Sequence, residues 1–313
     1  MRNIPNTITR KTALKLGLGA SAGFMLGKAP IFAQNQIPIT RTIPSTGEKI
    51  PAVGLGSSQT FNVGTLETER APLRAVLRLF VEMGGTLFDT SPSYGRSEPV
   101  AGDLAAELGL QDKIFWATKI SGATTVEQGI QQMATSMERF RQDHIELNQV
   151  HNLGNTATHL ATLREWKQES RVRYLGITTS SDRQYEEMEQ LMRTEDLDFI
   201  QVDYSIDNTS VVEDRLLPIA RDRGQLALVN GPFGRARLFS RVAGVNIPEW
   251  AREELGINSW AQYFIKYILA TPNTIPIPAT SDPEHLVDNM GALFGPIPTQ
   301  AQQTRLRTFF DSI

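Results

Sequence analysis

Residues 84–95 read Gly-Gly-Thr-Leu-Phe-Asp-Thr-Ser-Pro-Ser-Tyr-Gly. A two-glycine break leads into a short apolar run, Thr86–Asp89, and the run ends in an acid followed by a turn-rich loop. A short run bounded by Gly, Pro and Ser is a strand signal. Before it, Leu66–Met83 places Leu73, Val76, Leu77, Phe80 and Val81 at helical spacing. The same rhythm recurs along the chain. The other short runs are Ala52–Gly56, Ile114–Lys119, Ile145–His151, Arg173–Ile177, Asp198–Val202, Leu226–Asn230 and Thr274–Pro278. Between them, Val126–Phe140 (Ile130, Met133, Met137, Phe140), Gln184–Met192 and Glu284–Leu293 carry helical periodicity. Strand–helix alternation implies parallel strands, because a parallel pair needs a crossover helix.

Eight such units in about 250 residues predict an α/β fold of the (β/α)8 TIM barrel type, with a short hairpin before it and a C-terminal helix after it. A doubly wound sheet would need a glycine fingerprint opening a helix, and Gly54-Leu55-Gly56-Ser57-Ser58 does not continue as one. Arg235–Asn258 is the longest stretch without a clear element, and in a barrel it is a loop on the active face.

The chain has 313 residues, a net charge of −3 and no cysteine. Without Cys there is no disulfide framework, thiolate metal site or cysteine nucleophile, and a mildly acidic chain lacks the charge footprint of a nucleic-acid binder. The charge is unevenly spread. Residues 1–33 hold Arg2, Arg10, Lys11, Lys15 and Lys28 with no acid, leaving 26 bases against 34 acids in the remainder. Basic residues, a weakly apolar stretch from Leu16 to Leu26 and a small residue at Ala33 read as a cleaved export signal. The run Thr9-Arg10-Lys11-Thr12-Ala13-Leu14-Lys15 resembles a twin-arginine signal with Lys11 for the second Arg. The expectation is a periplasmic protein whose residues 34–313 form one barrel domain, with no stable membrane insertion once processed. An uncleaved membrane anchor or an ordinary secretory signal is the alternative.

Barrel chemistry sits where strands end and their loops begin. The second run ends in Asp89, with Tyr94 in its loop; the third ends at Lys119 and the fourth at His151. An acid, a phenol, an amine and an imidazole thus reach one rim from three neighbouring strands. Each has a plain structural reading alone, as turn cap, loop packing, surface amine or structural imidazole. The other histidines, His144, His159 and His285, are scattered and offer no metal cluster.

Asp89-Thr90-x-x-x-Tyr94-Gly95, Ala117-Thr118-Lys119, Gln149-Val150-His151, Arg173–Thr178, Phe199–Val202, Pro232–Arg235 and the closing TIPIPATSDPEHLVDN (274–289) resemble, in order, the segments of the aldo-keto reductase superfamily. The resemblance implies a nicotinamide-dependent carbonyl reductase, acting as a monomer on a small-molecule carbonyl. Tyr94 would be the general acid, Lys119 its tuner, Asp89 the partner of Lys119, and His151 a donor to the carbonyl oxygen. A phenol has a reference pKa of about 10, and a nearby ammonium lowers it. A non-catalytic barrel binding a ligand or protein is the competing expectation. A Schiff-base lyase using Lys119 is a third, opposed by the neighbouring acid.

The resemblance further implies a cofactor site made of Gly56, Ser57, Thr178, Thr179, Gln201, Asn230, Gly231, Phe233, Gly234, Arg235, Thr280, Ser281, His285, Asp288 and Asn289, and a substrate mouth at Ser58, Phe61 and Asn152. There are departures from the family pattern. Thr178-Thr179 replaces a Ser-Asn pair, Asn230 replaces a stacking tyrosine, and residues 280–282 lack the usual Lys or Arg for a 2′-phosphate. NADPH is the family default, and NADH becomes credible.

Overall fold

The computed structural model describes residues 37–313. The expected export segment lies outside the described residues. Two short strands, β1 (Thr40–Thr42) and β2 (Lys49–Pro51), pair antiparallel as the N-terminal hairpin. Eight strands follow: β3 (Leu55–Gly56), β4 (Leu87–Asp89), β5 (Phe115–Ile120), β6 (Ile145–His151), β7 (Val172–Thr179), β8 (Phe199–Asp203), β9 (Leu226–Asn230) and β10 (Thr274–Pro276). They pair in parallel and in chain order. The seam closes where the Gly54 and Gly56 amides donate to the Pro276 and Pro278 carbonyls, each at 3.0 Å. A Cβ on Gly56 would stand 2.7 Å from the Ile277 carbonyl oxygen, so only glycine lets the strands meet. The expected TIM barrel is therefore the observed fold.

Helices surround it: α1 (Glu67–Glu82), α2 (Ser97–Leu108), α3 (Val126–Phe140), α4 (Thr156–Gln168), α5 (Tyr185–Thr194), α6 (Leu217–Asp222), α7 (Arg237–Arg241), α8 (Glu249–Leu255), α9 (Trp260–Leu269), α10 (Pro283–Gly291) and α11 (Gln300–Asp311). Leu73, Val76, Leu77 and Phe80 face inward from α1 as their spacing predicts. In α3, Thr125 caps the Gln128 amide, and Met133, Met137 and Phe140 are buried. Ile130, expected on that face, is 38% exposed because the buried stripe runs through Gly129, Met133 and Ser136. Arg235–Asn258 is not a bare loop, since it contains α7 and α8, which have only five and seven residues. No helix among the described residues is long and apolar enough to cross a membrane.

The barrel interior has two unlike layers. At the N-terminal end Leu87, Ala117, Leu147, Phe199 and Leu228 join Phe115, Tyr174, Ile43 and Ile50 in one apolar cluster, with Ile43 and Ile50 supplied by the hairpin. Side chains two residues apart on a strand share a face. The next inward residues are therefore Asp89, Lys119, Gln149, Gln201 and Asn230. An apolar plug below and a polar layer above is what places the chemistry at the C-terminal rim.

Candidate active site

Lys119 is 1% exposed and its Nζ donates to Asp89 Oδ1 and Oδ2 at 2.8 and 2.9 Å and to the Thr90 carbonyl at 2.7 Å. All three ammonium protons are thus used. Burial pulls the Lys119 pKa down, but Asp89, Tyr94 and Glu98 outweigh it and hold the ammonium above its ordinary value. Burial raises Asp89, against the opposing pull of Lys119 and Gln201. Gln201 is central to the layer. Its Nε2 donates to Asp89 Oδ2 at 3.3 Å and to Asn230 Oδ1 at 2.6 Å, while its Oε1 accepts from Gln149 Nε2 at 2.6 Å. Behind β5, the fully buried Glu98 accepts from Thr118 Oγ1, Ser136 Oγ and Arg139 Nη1.

Tyr94 arrives from the loop after β4, where its amide donates to the Ser91 carbonyl and Gly95 takes a φ of 59°. Lys119 Nζ lies 5.4 Å from its ring centroid. The His151 ring is edge-on to it, with centroids 6.1 Å apart. Lys119 is the largest influence on the Tyr94 hydroxyl and lowers its pKa, yet burial and the Asp89 carboxylate together prevail and leave it above 10.0. This corrects the expectation that the ammonium alone sets the direction. Burial and the Lys119 charge push His151 down to about 4, so its imidazole is neutral at neutral pH.

Tyr94 and Asp89 stand at one end of a cleft of about 1050 Å³. It runs past Asn230, Gly231, Phe233 and Arg235 to Thr280, His285, Asp288 and Asn289. Ser57 lines it with a buried hydroxyl that has no hydrogen-bond partner, an available donor for a polar ligand. Residues 52–304 match the model of the aldo/keto reductase family.

The chain belongs to the aldo/keto reductase family.

Among curated members, it is 25% identical over 215 residues to the aldo-keto reductase YhdN of Bacillus subtilis, a match spanning 64% of each protein. It is 25% identical over 250 residues to the methylglyoxal reductase YeaE of Escherichia coli, covering 78% of this chain and 86% of that one. The fold matches an aldo-keto reductase of Klebsiella pneumoniae solved with NADPH, with a TM-score of 0.74, 22% identity, and coverage of 88% of this chain and 95% of the other.

Against that family pattern, Gly56, Ser57, Ser58, Asn230, Gly231, Phe233, Arg235, Thr280, His285, Asp288 and Asn289 line the cleft. Gly231 takes a φ of 56°. Thr178 sits in register between His151 and Gln201 on the inward face of β7. Thr179, one residue on, points the other way. Its Oγ1 donates to Gln184 Oε1 at 2.6 Å and accepts from the Ser181 amide, so it braces its own loop rather than facing the cleft. Thr178, Gln201, Gly234 and Ser281 also lie outside the cleft lining: Thr178 and Gln201 are buried in the polar layer, Gly234 closes a turn with a φ of 55°, and Ser281 is exposed. Asp282 caps α10, its Oδ1 accepting from the Glu284 amide at 2.8 Å. Phe61, expected at the substrate mouth, is fully buried against Phe88 with ring centroids 5.0 Å apart, because the turn from Ser57 folds it under the rim. Asn152 is exposed with a φ of 54° and its carbonyl accepts from Gln184; it is not part of the cleft lining. Trp260 lines the cleft and also packs on Phe264.

Asp203 went unnoticed in the sequence. It ends β8, lines the cleft and pairs with Arg235 at 3.5 Å. Reading the C-terminal residue of every strand would have found it.

Proposed function

We propose that this chain is an NAD(P)H-dependent carbonyl reductase that interconverts aldehydes or ketones with alcohols, with Tyr94 as the general acid. The observation that carries this reading is the buried Lys119–Asp89 pair beneath a cleft-lining tyrosine, with a neutral histidine edge-on to that tyrosine. The cleft's size, its unpartnered Ser57 hydroxyl and the 3%-exposed Asn289 on its wall fit a dinucleotide. When bound, a reduced nicotinamide supplies the hydride. Tyr94, held in its protonated form, gives the proton to the developing alkoxide, and the His151 imidazole orients the carbonyl oxygen by donating to it. Run backwards, the Tyr94 phenolate takes the proton from an alcohol.

NADPH is the cofactor, with 2′-phosphate selectivity weakened toward NADH. Among the described residues Arg235 is the one Lys or Arg on the cleft wall, and it is paired with Asp203. Asp282 is engaged in capping α10, so the end of the cleft near 280–282 offers hydroxyls and amides rather than a cation. The protein acts as a monomer on a small carbonyl compound and works in the periplasm after twin-arginine export. The basic, acid-free residues 1–33 support that address. The non-catalytic barrel is an outcome of the test below.

The test is a fluorescence titration with NADPH and with NADH, repeated on Tyr94→Phe. Dinucleotide binding should persist in the variant while carbonyl reduction drops about 10²–10⁴-fold. Absence of dinucleotide binding by the wild type would leave a non-catalytic barrel. Detection of the mature protein in the cytoplasmic fraction alone would sink the export reading.

A further inference from the structure

Ser121 follows β5 directly, two residues beyond Lys119. The loop it begins is fastened to α3 by one side chain. Gln132 Oε1 accepts from the Ser121 amide at 2.8 Å, and Gln132 Nε2 donates to the Ser121 carbonyl at 2.8 Å. So held, the Ser121 hydroxyl lies 2.9 Å from Nδ1 of His151. The next nearest hydroxyl, that of Ser91, is 3.4 Å from the same nitrogen and is shared with the Ser93 amide and hydroxyl.

A neutral imidazole has one ring proton and two nitrogens to place it on. With the proton on Nδ1, a lone pair on Nε2 would meet the lone pairs of a carbonyl oxygen. With it on Nε2, the ring donates from the nitrogen turned away from Ser121, and Nδ1 then needs a donor of its own. A hydroxyl can serve as donor or acceptor; the other polar contacts of Ser121 are made by its backbone, so its hydroxyl proton is free to be given to Nδ1. We propose that Ser121 is a positioning residue: its hydroxyl donates to Nδ1 of His151, fixes the Nε2–H tautomer and so makes His151 a hydrogen-bond donor toward the substrate carbonyl. The use of that donor rests on the reductase reading of the cleft, whereas the ring assignment stands apart from it. Neutrality of the ring, from its pKa of about 4, makes the tautomer a live choice at neutral pH.

Long-range proton–nitrogen NMR of the ligand-free protein, labelled at histidine, reads the tautomer directly, and His151→Gln assigns the signal among the four histidines. The wild type should show Nε2–H at pH 7, Ser121→Ala a mixture, and Ser121→Thr the wild-type form. An Nδ1–H ring in the wild type, or an unchanged ring in Ser121→Ala, overturns the proposal. In kinetics, Ser121→Ala should lower kcat for carbonyl reduction about tenfold, the worth of one hydrogen bond, with dinucleotide affinity unchanged. Because the hydroxyl turns to accept from the charged ring more strongly than it donates to the neutral one, its loss should also move the acid limb of the pH profile downward, and Ser121→Thr should restore both. A fall in kcat with an unmoved acid limb and no rescue by threonine would mark a merely structural serine and overturn the proposal. If the wild type reduces no carbonyl while the ring behaves as stated, the reductase reading fails and control of the ring by Ser121 is upheld.

Discussion

Each end of the barrel carries a lysine–aspartate pair. Lys119–Asp89 at the C-terminal rim and Lys167–Asp198 at the N-terminal rim have similar separations, 2.8 and 2.6 Å. Their surroundings differ. The Lys167 side chain is 37% exposed, and Asp198 also accepts from the Ser45 hydroxyl of the hairpin and the Leu175 amide. That pair fastens the plug to β7, and water screens what is left of its field. The upper pair is buried on both sides, at 1% and 4%, with Tyr94 beside it. Its field is not spent on solvent, so it acts on the tyrosine. The same two residue types make a clamp where water reaches them and set a proton affinity where it does not.

Removing the acid from each end breaks the comparison. Asp89→Asn leaves a buried ammonium with no carboxylate, and should cost about 3–5 kcal/mol in chemical denaturation at neutral pH. The penalty should shrink as pH rises, because an unpaired buried lysine has a depressed folded pKa and sheds its charge. Carbonyl reduction should fall with it. At the other rim, Asp198→Ala should cost about 1–3 kcal/mol for its orphaned partners. It should leave kcat/KM within about twofold, since Asp198 lies at the opposite end of the barrel from Tyr94. A large loss of activity in Asp198→Ala would mean that the two rims are coupled.

The pH dependence sharpens what the upper pair does. Burial and the Lys119 charge push His151 down to about 4, and burial with the Asp89 carboxylate holds the Tyr94 phenol above its ordinary value. Reduction, which needs the phenol protonated, should be nearly flat from about pH 5 to about pH 9. Oxidation of an alcohol needs the phenolate and should climb about tenfold per pH unit through the same range. Initial rates in both directions across pH decide it. A reductive rate already falling at pH 8 would show that the Lys119 charge outweighs burial and Asp89.

The barrel was legible because its strands are short apolar runs cut by Gly and polar loops, and β6 and β9 were read to the residue. Three of the rim residues, Asp89, Lys119 and His151, were legible for a related reason: each ends a run, and Tyr94 lies in the loop after one. What escaped depends on facts that no run length carries. Thr179 needed the strand's two-residue period, which turns it away from Thr178. Phe61 needed the fold of its turn beneath Phe88. The α7 and α8 helices are too short to show a period. The Tyr94 direction was misjudged because the sequence displays the lysine but not the burial. Ser121 and the Gln149–Gln201–Asn230 chain come together only through strand register, across 30 and 52 residues of sequence.

The smallest expected effect lies at the far end of the cleft, where the molecule keeps little charge. Ser281 is exposed and immediately precedes Asp282, the cap of α10. Replacing Asp282 itself would mix two effects, since losing the cap costs about 0.5–2 kcal/mol by itself. Ser281→Arg leaves the cap in place and adds a guanidinium, the group best shaped to meet a phosphate. One solvent-exposed charge contact contributes about 1 kcal/mol or less. The ratio of NADPH to NADH affinity should therefore rise about fivefold at low salt, with NADH affinity unchanged, and the gain should shrink as salt is added. If the ratio does not move, the 2′-phosphate does not lie near residue 281. Selectivity would then rest on Arg235, the cation that the cleft already has.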